Sequence, residues 1–286
     1  MKILLLGSYG FVGKYFSKLS LHKKNLIITS HKKKIKFDIT KDDIEKLYLK
    51  YNFDKIVLLS AKSNPFECKH QRNYAYNVNV KSSKKIINFC IKKNIYFIFF
   101  SSEYIFSGNK KKYTERSNPK TRMIYGNHKI IIEKFLKKKK YKKFSILRLS
   151  KTFGDQINDG SLFSKYLKEY LKGQRIFEIA KDQIFNPLYV KDLVKIIDYF
   201  LKNNISGTYN VGGKISNSRY NLVKLFFKYL KIKNVNFKKN SISKYDKNIY
   251  IPKNVSFDIT KLKKTIDFEL SNFPTNLINL KNVYKK

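Results

Sequence analysis

Lys2-Ile3-Leu4-Leu5-Leu6-Gly7-Ser8-Tyr9-Gly10-Phe11-Val12-Gly13 stands at the head of the chain. The apolar run before Gly7 has the composition of a strand buried on both faces. Three glycines follow at once, and Val12 to Leu21 has the spacing of an amphipathic helix. A strand that turns on glycines into a helix is the setting a dinucleotide pyrophosphate requires. Gly7 permits a tight turn, Gly10 lets the backbone approach the phosphates, and Gly13 lets the helix pack close to the sheet. The first helical turn, with Phe11 and Val12, offers free N–H groups and the positive end of a helix dipole. These five residues are therefore expected to hold a cofactor, the alternative being a plain strand-to-helix turn.

Outward from this turn, β and α patterns alternate. Leu26-Ile27-Ile28-Thr29 is a second strand, ending in Ser30-His31-Lys32-Lys33-Lys34. An NAD-selective site places an acid here for the ribose 2′-hydroxyl. This chain has bases instead, so His31 and Lys32 favour a 2′-phosphate and NADPH over NADH, unless the lysines belong to the general excess. In Phe37-Asp38-Ile39-Thr40, Asp38 and Ile39 suit an adenine edge; equally, Thr40 suits the cap of a helix from Asp42 to Tyr51. Lys55 to Leu59 is a third strand, followed by Ser60-Ala61-Lys62, small enough for a ribose and pyrophosphate to pass. Helical periodicity from Asn73 to Lys92 completes the pattern of a doubly wound parallel sheet.

Tyr96-Phe97-Ile98-Phe99-Phe100 is the next buried strand, delivering Ser101-Ser102-Glu103 at its carboxyl end. A loop leads to Tyr125-Gly126-Asn127-His128-Lys129 at the start of a helix. Residues four apart share a helix face, so Tyr125 and Lys129 point together beyond the strand end. With Ser102 they form a proton-delivery site. The Tyr-x-x-x-Lys spacing itself selects nothing, because 21 tyrosines among so many lysines produce it by chance. Tyr51/Lys55, Tyr220/Lys224 and Tyr229/Lys233 have it too. Only Tyr125/Lys129 follows a buried strand ending in a serine pair.

Residues 1–154, completed by 185–213, are expected to form the nucleotide-binding domain. Residues 155–184 and 214–286 lack regular β-α alternation and are assigned to a smaller C-terminal substrate lobe. The composition agrees with a folded chain, at 42% hydrophobic. No apolar run is long enough for a membrane span, and the apolar start, which runs into glycines without a cleavage site, is expected to be a strand of a cytoplasmic protein. Two cysteines and four histidines without ligand spacing argue against a metal site. A net charge of +42 raises nucleic-acid binding, but the charge is nearly all lysine, spread along the chain, and arginine is the better phosphate and base reader. A positive field that attracts an anionic substrate is the expected effect.

The Gly7–Gly13 spacing, Asp38-Ile39-Thr40, Ser101 to Phe106, Tyr113-Thr114-Glu115, Tyr125-Gly126 with Lys129, Leu147-Arg148, Asp182-Gln183 with Pro187, and Phe257-Asp258 with Lys261-Leu262 resemble one family throughout. The chain is similar to the extended short-chain dehydrogenases/reductases, and within them to the dTDP-4-dehydrorhamnose reductase group. The resemblance implies an α/β, Rossmann-type enzyme of dTDP-rhamnose biosynthesis that uses NADPH or NADH to reduce a 4-keto nucleotide-deoxysugar. In that reading Tyr125 protonates the alkoxide, Lys129 lowers the tyrosine pKa and bonds the nicotinamide ribose, and Ser102 binds the carbonyl oxygen. Glu103, where the family has Asp, and Lys151, where members often carry Trp, are the expected substrate contacts. Ile251-Pro252 replaces an Arg-Pro element, so the sugar is left open. The oligomeric state is open as well, a homodimer among the alternatives. An epimerase of the same superfamily and a non-catalytic NADP-binding regulatory subunit are the rival readings.

Overall fold

A computed structural model of the chain describes residues 1–29, 35–244 and 249–284. In chain order the first elements are β1 (Ile3–Leu6), α1 (Phe11–Leu19), β2 (Leu26–Ile28), α2 (Ile44–Tyr51), β3 (Lys55–Leu58) and α3 (Pro65–His70). Then come α4 (Arg72–Tyr76), α5 (Ser83–Lys92), β4 (Tyr96–Ser102), α6 (Ile124–Lys137) and β5 (Phe144–Leu149). Next are β6 (Thr152–Phe153), α7 (Leu162–Leu171), β7 (Ile176–Ala180), β8 (Ile184–Phe185), β9 (Leu188–Tyr189) and α8 (Val190–Asn203). The chain continues through β10 (Gly207–Val211), β11 (Asn217–Ser218), α9 (Arg219–Tyr229), β12 (Asn236–Asn240), α10 (Thr260–Thr265) and α11 (Phe273–Tyr284). Among the described residues no helix is long and apolar enough to cross a membrane.

Two compact units result. The first comprises Met1–Ile105, Lys120–Arg148 and Val194–Tyr209. Its six-stranded sheet has the order β2-β1-β3-β4-β5-β10, and β2, β1, β3 and β4 run parallel. Every residue of β1, β3 and β4 is buried, as expected of strands covered on both faces. The strand order reverses between β1 and β3, and ligands of open α/β sheets bind at the carboxyl ends beside such a reversal. That is where Gly7 lies.

Two local expectations change. The predicted helix over 73–92 is divided: α4 passes into a π-helical stretch, Asn77–Ser82, before α5. Within it Asn79 is fully buried, its amide satisfied by the Lys62 backbone through N–H to Oδ1 at 2.8 Å and Nδ2 to O at 2.9 Å. Thr40 is not a helix cap. Asp43 caps α2, accepting the Glu45 N–H at 3.0 Å, while Thr40 donates its N–H and hydroxyl to Asp38 at 2.8 and 2.7 Å.

The second unit comprises Phe106–Pro119, Leu149–Leu193 and Asn210–Lys286. It is built from short ladders: β7 with β12 and β6 with β9 are parallel, and β8 with β11 is antiparallel. Aromatic rings fill its interior, with Phe163 in contact with Phe153, Phe226 and Phe273. Residues 106–119, 149–154, 185–193 and 210–213, placed in the nucleotide-binding domain from sequence, group with this unit. Backbone hydrogen bonds tie them into it: Tyr113 N–H to Ser256 O at 2.8 Å, Leu188 N–H to Lys151 O at 3.0 Å and Ser150 N–H to Val211 O at 2.9 Å.

Candidate active site

Gly7 adopts φ +90°, a conformation L side chains rarely take. A Cβ on it would stand 2.6 Å from the Ser60 nitrogen, so the ends of β1 and β3 are in direct backbone contact. A Cβ on Gly13 would stand 2.3 Å from the Gly7 carbonyl, which closes α1 onto the turn. Gly10 differs, since a Cβ there would meet only the Gly7 oxygen, at 3.4 Å. The turn is closed on its inner side and open at Gly10. α1 begins without a side-chain cap and with no acid in its first turn, which leaves its N–H groups and dipole for an anion. These residues fit a dinucleotide pyrophosphate.

Phe11, Val12, Ser60, Ala61 and Lys62 are half-buried around the two strand ends. Lys62 Nζ pairs with Glu67 at 3.1 Å. Asp38 is half-buried and engaged with Thr40, while Ile39 belongs to the hydrophobic core. His31 and Lys32, on which the preference for a 2′-phosphate rests, lie outside the described residues.

Ser102 closes β4, and its hydroxyl oxygen accepts the Tyr104 N–H at 3.2 Å, leaving the O–H to donate elsewhere. The turn after it is pressed against α6: a Cβ on Gly126 would stand 2.0 Å from the Tyr104 carbonyl oxygen. Only glycine fits at that crossing. It brings the first turn of α6 to the strand end, with Tyr125 packed among Cys68, Ala75 and Tyr104. Lys129, one turn further, has its ammonium 5.5 Å from the Tyr125 ring centroid and 4.7 Å from that of Phe99 in β4. Such contacts hold a desolvated cation against aromatic faces. Tyr125 and Lys129 thus share one face, as their spacing predicts, at the end of the strand that carries Ser102.

Burial sets the electrostatics. Tyr125 is 8% exposed and Lys129 is 3% exposed, so the ionised form of each loses its hydration. Burial pushes Lys129 down to about 8, against the opposing pull of Cys68 and Glu133. The expectation that Lys129 draws the tyrosine pKa down is reversed. Burial, with Cys68 and Tyr104 acting the same way, raises the Tyr125 hydroxyl above the ordinary tyrosine range. At neutral pH the site therefore holds a phenol beside an ammonium.

Sequence reasoning missed the residues packed around this pair. Cys68 is fully buried, its thiol donating to the Lys62 carbonyl at 3.2 Å and raised in pKa chiefly by burial. The Asn79 amide lies 3.3 Å from His128 Nδ1, and His128 is lowered by burial and by Lys129. The available signal was a polar residue inside an apolar helical run, Asn77-Val78-Asn79-Val80. Of the expected substrate contacts, Glu103 is buried in the turn after β4. Lys151 lies half-buried in the second unit. Among the described residues no group of His, Cys, Asp and Glu is arranged to hold a metal.

A wound parallel sheet with a glycine turn after β1 and a Ser, Tyr and Lys set after β4 defines the class, an NAD(P)-dependent oxidoreductase of the short-chain dehydrogenase/reductase type. The chain belongs to the RmlD substrate binding domain family, whose profile matches residues 1–285. A dTDP-4-dehydrorhamnose reductase of Aggregatibacter actinomycetemcomitans is 26% identical over 208 residues, 72% of this chain and 69% of that one. The dTDP-4-dehydrorhamnose reductase of Bacillus anthracis, solved in complex with NADP, superposes with a TM-score of 0.84 at 22% identity, covering 99% of this chain and 98% of that one. A Clostridium acetobutylicum dTDP-4-dehydrorhamnose reductase superposes with a TM-score of 0.88 at 21% identity over all of both chains.

Proposed function

We propose that the chain is an NADPH-dependent reductase of a 4-keto group on a dTDP-linked deoxysugar, with Ser102, Tyr125 and Lys129 as its catalytic residues. The observation that carries this reading is the buried phenol and ammonium sharing one face of α6 at the end of β4. The relatives' names supply the substrate class, and the NADP bound by the Bacillus anthracis protein supports the choice of cofactor. Gly7, Gly10, Gly13 and the first turn of α1 would hold the dinucleotide, which would supply the hydride.

The chain's own residues handle the oxygen and the proton. Ser102 donates a hydrogen bond to the carbonyl oxygen, and that bond strengthens as negative charge develops there. Tyr125, a phenol at neutral pH, protonates the alkoxide as general acid. Lys129 compensates the tyrosinate left behind; an isolated phenolate in so dry a site would be costly. The proton then returns from solvent. Glu103 and Lys151 remain proposed substrate contacts, with the second unit as the substrate lobe. His31 and Lys32 remain proposed contacts of a 2′-phosphate. A cytoplasmic setting accords with Cys68 and Cys90 both being free thiols.

NADPH oxidation with dTDP-4-dehydrorhamnose tests the reading. Tyr125→Phe should abolish turnover while NADPH still binds with near wild-type affinity by fluorescence titration. Retained activity in that variant refutes the assignment. An epimerase would convert the sugar with no net consumption of NADPH, and a regulatory subunit would convert nothing. Sedimentation of the purified chain decides between monomer and homodimer.

A further inference from the structure

Glu133 lies one helical turn beyond Lys129 on α6, and Arg148 lies on β5. Their side chains form a two-point ion pair, Arg148 Nε to Glu133 Oε1 at 3.0 Å and Arg148 Nη2 to Oε2 at 2.6 Å. The pair is sealed from solvent, with side-chain exposures of 0% and 2%. Buried ion pairs do little for stability compared with apolar side chains of like volume. Retaining one beside a catalytic lysine calls for another explanation. Residues at this spacing on a helix are neighbours, so the carboxylate stands beside the lysine.

We propose that the Glu133–Arg148 pair is a positioning device that holds Lys129 in its ammonium form beside Tyr125. This rests on the reading of Lys129 as catalytic. The groups facing Lys129 are the Cys68 thiol from α3, the Phe99 ring from β4, and Tyr125, His128 and Glu133 from α6 itself. Cys68 favours the ammonium only as a thiolate, and burial keeps it a thiol at neutral pH. Tyr125 is a phenol, and a charged His128 would repel the lysine. Glu133 is thus the standing negative charge in this set. Arg148 acts through Glu133: a buried carboxylate without a cation would take up a proton and lose its charge. Neither residue touches the reacting atoms, and the role of both is electrostatic support.

The test is the alkaline limb of the kcat/KM–pH profile, read by NADPH oxidation with dTDP-4-dehydrorhamnose. Glu133→Gln removes the negative charge and leaves the Arg148 cation, so the limb should move down by on the order of one pH unit. Arg148→Met withdraws that cation's support from the carboxylate, so the limb should move down as well, but less far, because no guanidinium is left near the lysine. Damage to packing would lower rates in both variants without moving their limbs. Breaking a buried pair is strongly destabilising. The double variant Glu133→Gln/Arg148→Met, which leaves no orphaned charge, decides the matter where a single variant does not fold. Its limb should lie below wild type but above that of Glu133→Gln. Coincident limbs in every folded variant overturn the inference. Tyr125→Phe separates the two levels: if it stays active, the reading of the site fails, and if it is dead while the limbs coincide, only the role given to Glu133 and Arg148 fails.

Discussion

Lys129 is the residue at which function and stability oppose each other. Its pKa of about 8 in the folded chain, against 10.5 for a free lysine, means that the folded state binds its proton more weakly than the unfolded chain does. The resulting destabilisation is fully present below pH 8 and is relieved as pH rises from about 8 to 10.5, where the unfolded chain binds the extra proton. Lys129→Met should therefore raise unfolding stability on the order of 2 kcal/mol at pH 7. Urea denaturation should show the gap closing between pH 8 and 10.5, and a variant less stable than wild type would contradict the assignment. Turnover has the opposite sign. In the proposed mechanism activity needs the ammonium, so it should decline as pH rises through about 8, read as the alkaline limb of kcat/KM in the unmodified enzyme. The positions of Ser102, Tyr125 and Lys129 were legible because strand-end and helix-face geometry is local. Their proton affinities were not, because Cys68, Tyr104 and Phe99, which desolvate the pair, come from elements whose packing no spacing reveals.

At the scale of elements, apolar runs located β1, β3 and β4 because strands covered on both faces carry little but apolar side chains. The π-helical stretch at Asn77–Ser82 was hidden, since one wide turn barely disturbs a period near 3.6. The start of α2 was misplaced for a related reason: Thr40, Asp42 and Asp43 are all good caps, and only the backbone path selects Asp43. The crossing of α6 over the turn at Tyr104 is the contact on which the site geometry depends most. Gly126→Ala would drive a methyl into a backbone carbonyl that has no rotamer to escape by. A cost of about 3 kcal/mol in thermal or urea unfolding is expected, with kcat falling because Tyr125 moves with the helix. A Gly126→Ala variant as stable and active as wild type would show that α6 has slack there.

At the scale of the whole molecule, the charge of +42 bears on encounter rather than on chemistry. Both the cofactor and the proposed sugar nucleotide are anions, and a positive field raises the rate at which they arrive. Raising the salt from about 20 mM to 0.5 M shrinks the screening length to a few ångströms. The value of kcat/KM should fall roughly 3- to 10-fold, with kcat at saturation nearly unchanged; a flat profile would make the lysine excess irrelevant to catalysis. That the chain makes a wound sheet was readable from the β-α rhythm; where the second unit begins was not. The membership of Phe106–Pro119 was not, because Tyr113 and Asn109 form their bridges with Phe257 and Asn254, far away along the chain.

The interleaving of the two units has a practical outcome. The polypeptide passes from one to the other five times, and one excursion separates Ser102 from Tyr125. No single cut therefore separates the first unit from the second. A fragment ending before residue 106 keeps the glycine turn and Ser102 but has lost the phenol and the amine, and one starting at residue 120 has the reverse deficit. Truncation is the wrong tool for assigning tasks to the halves of this protein; point substitutions in the intact chain are the right one.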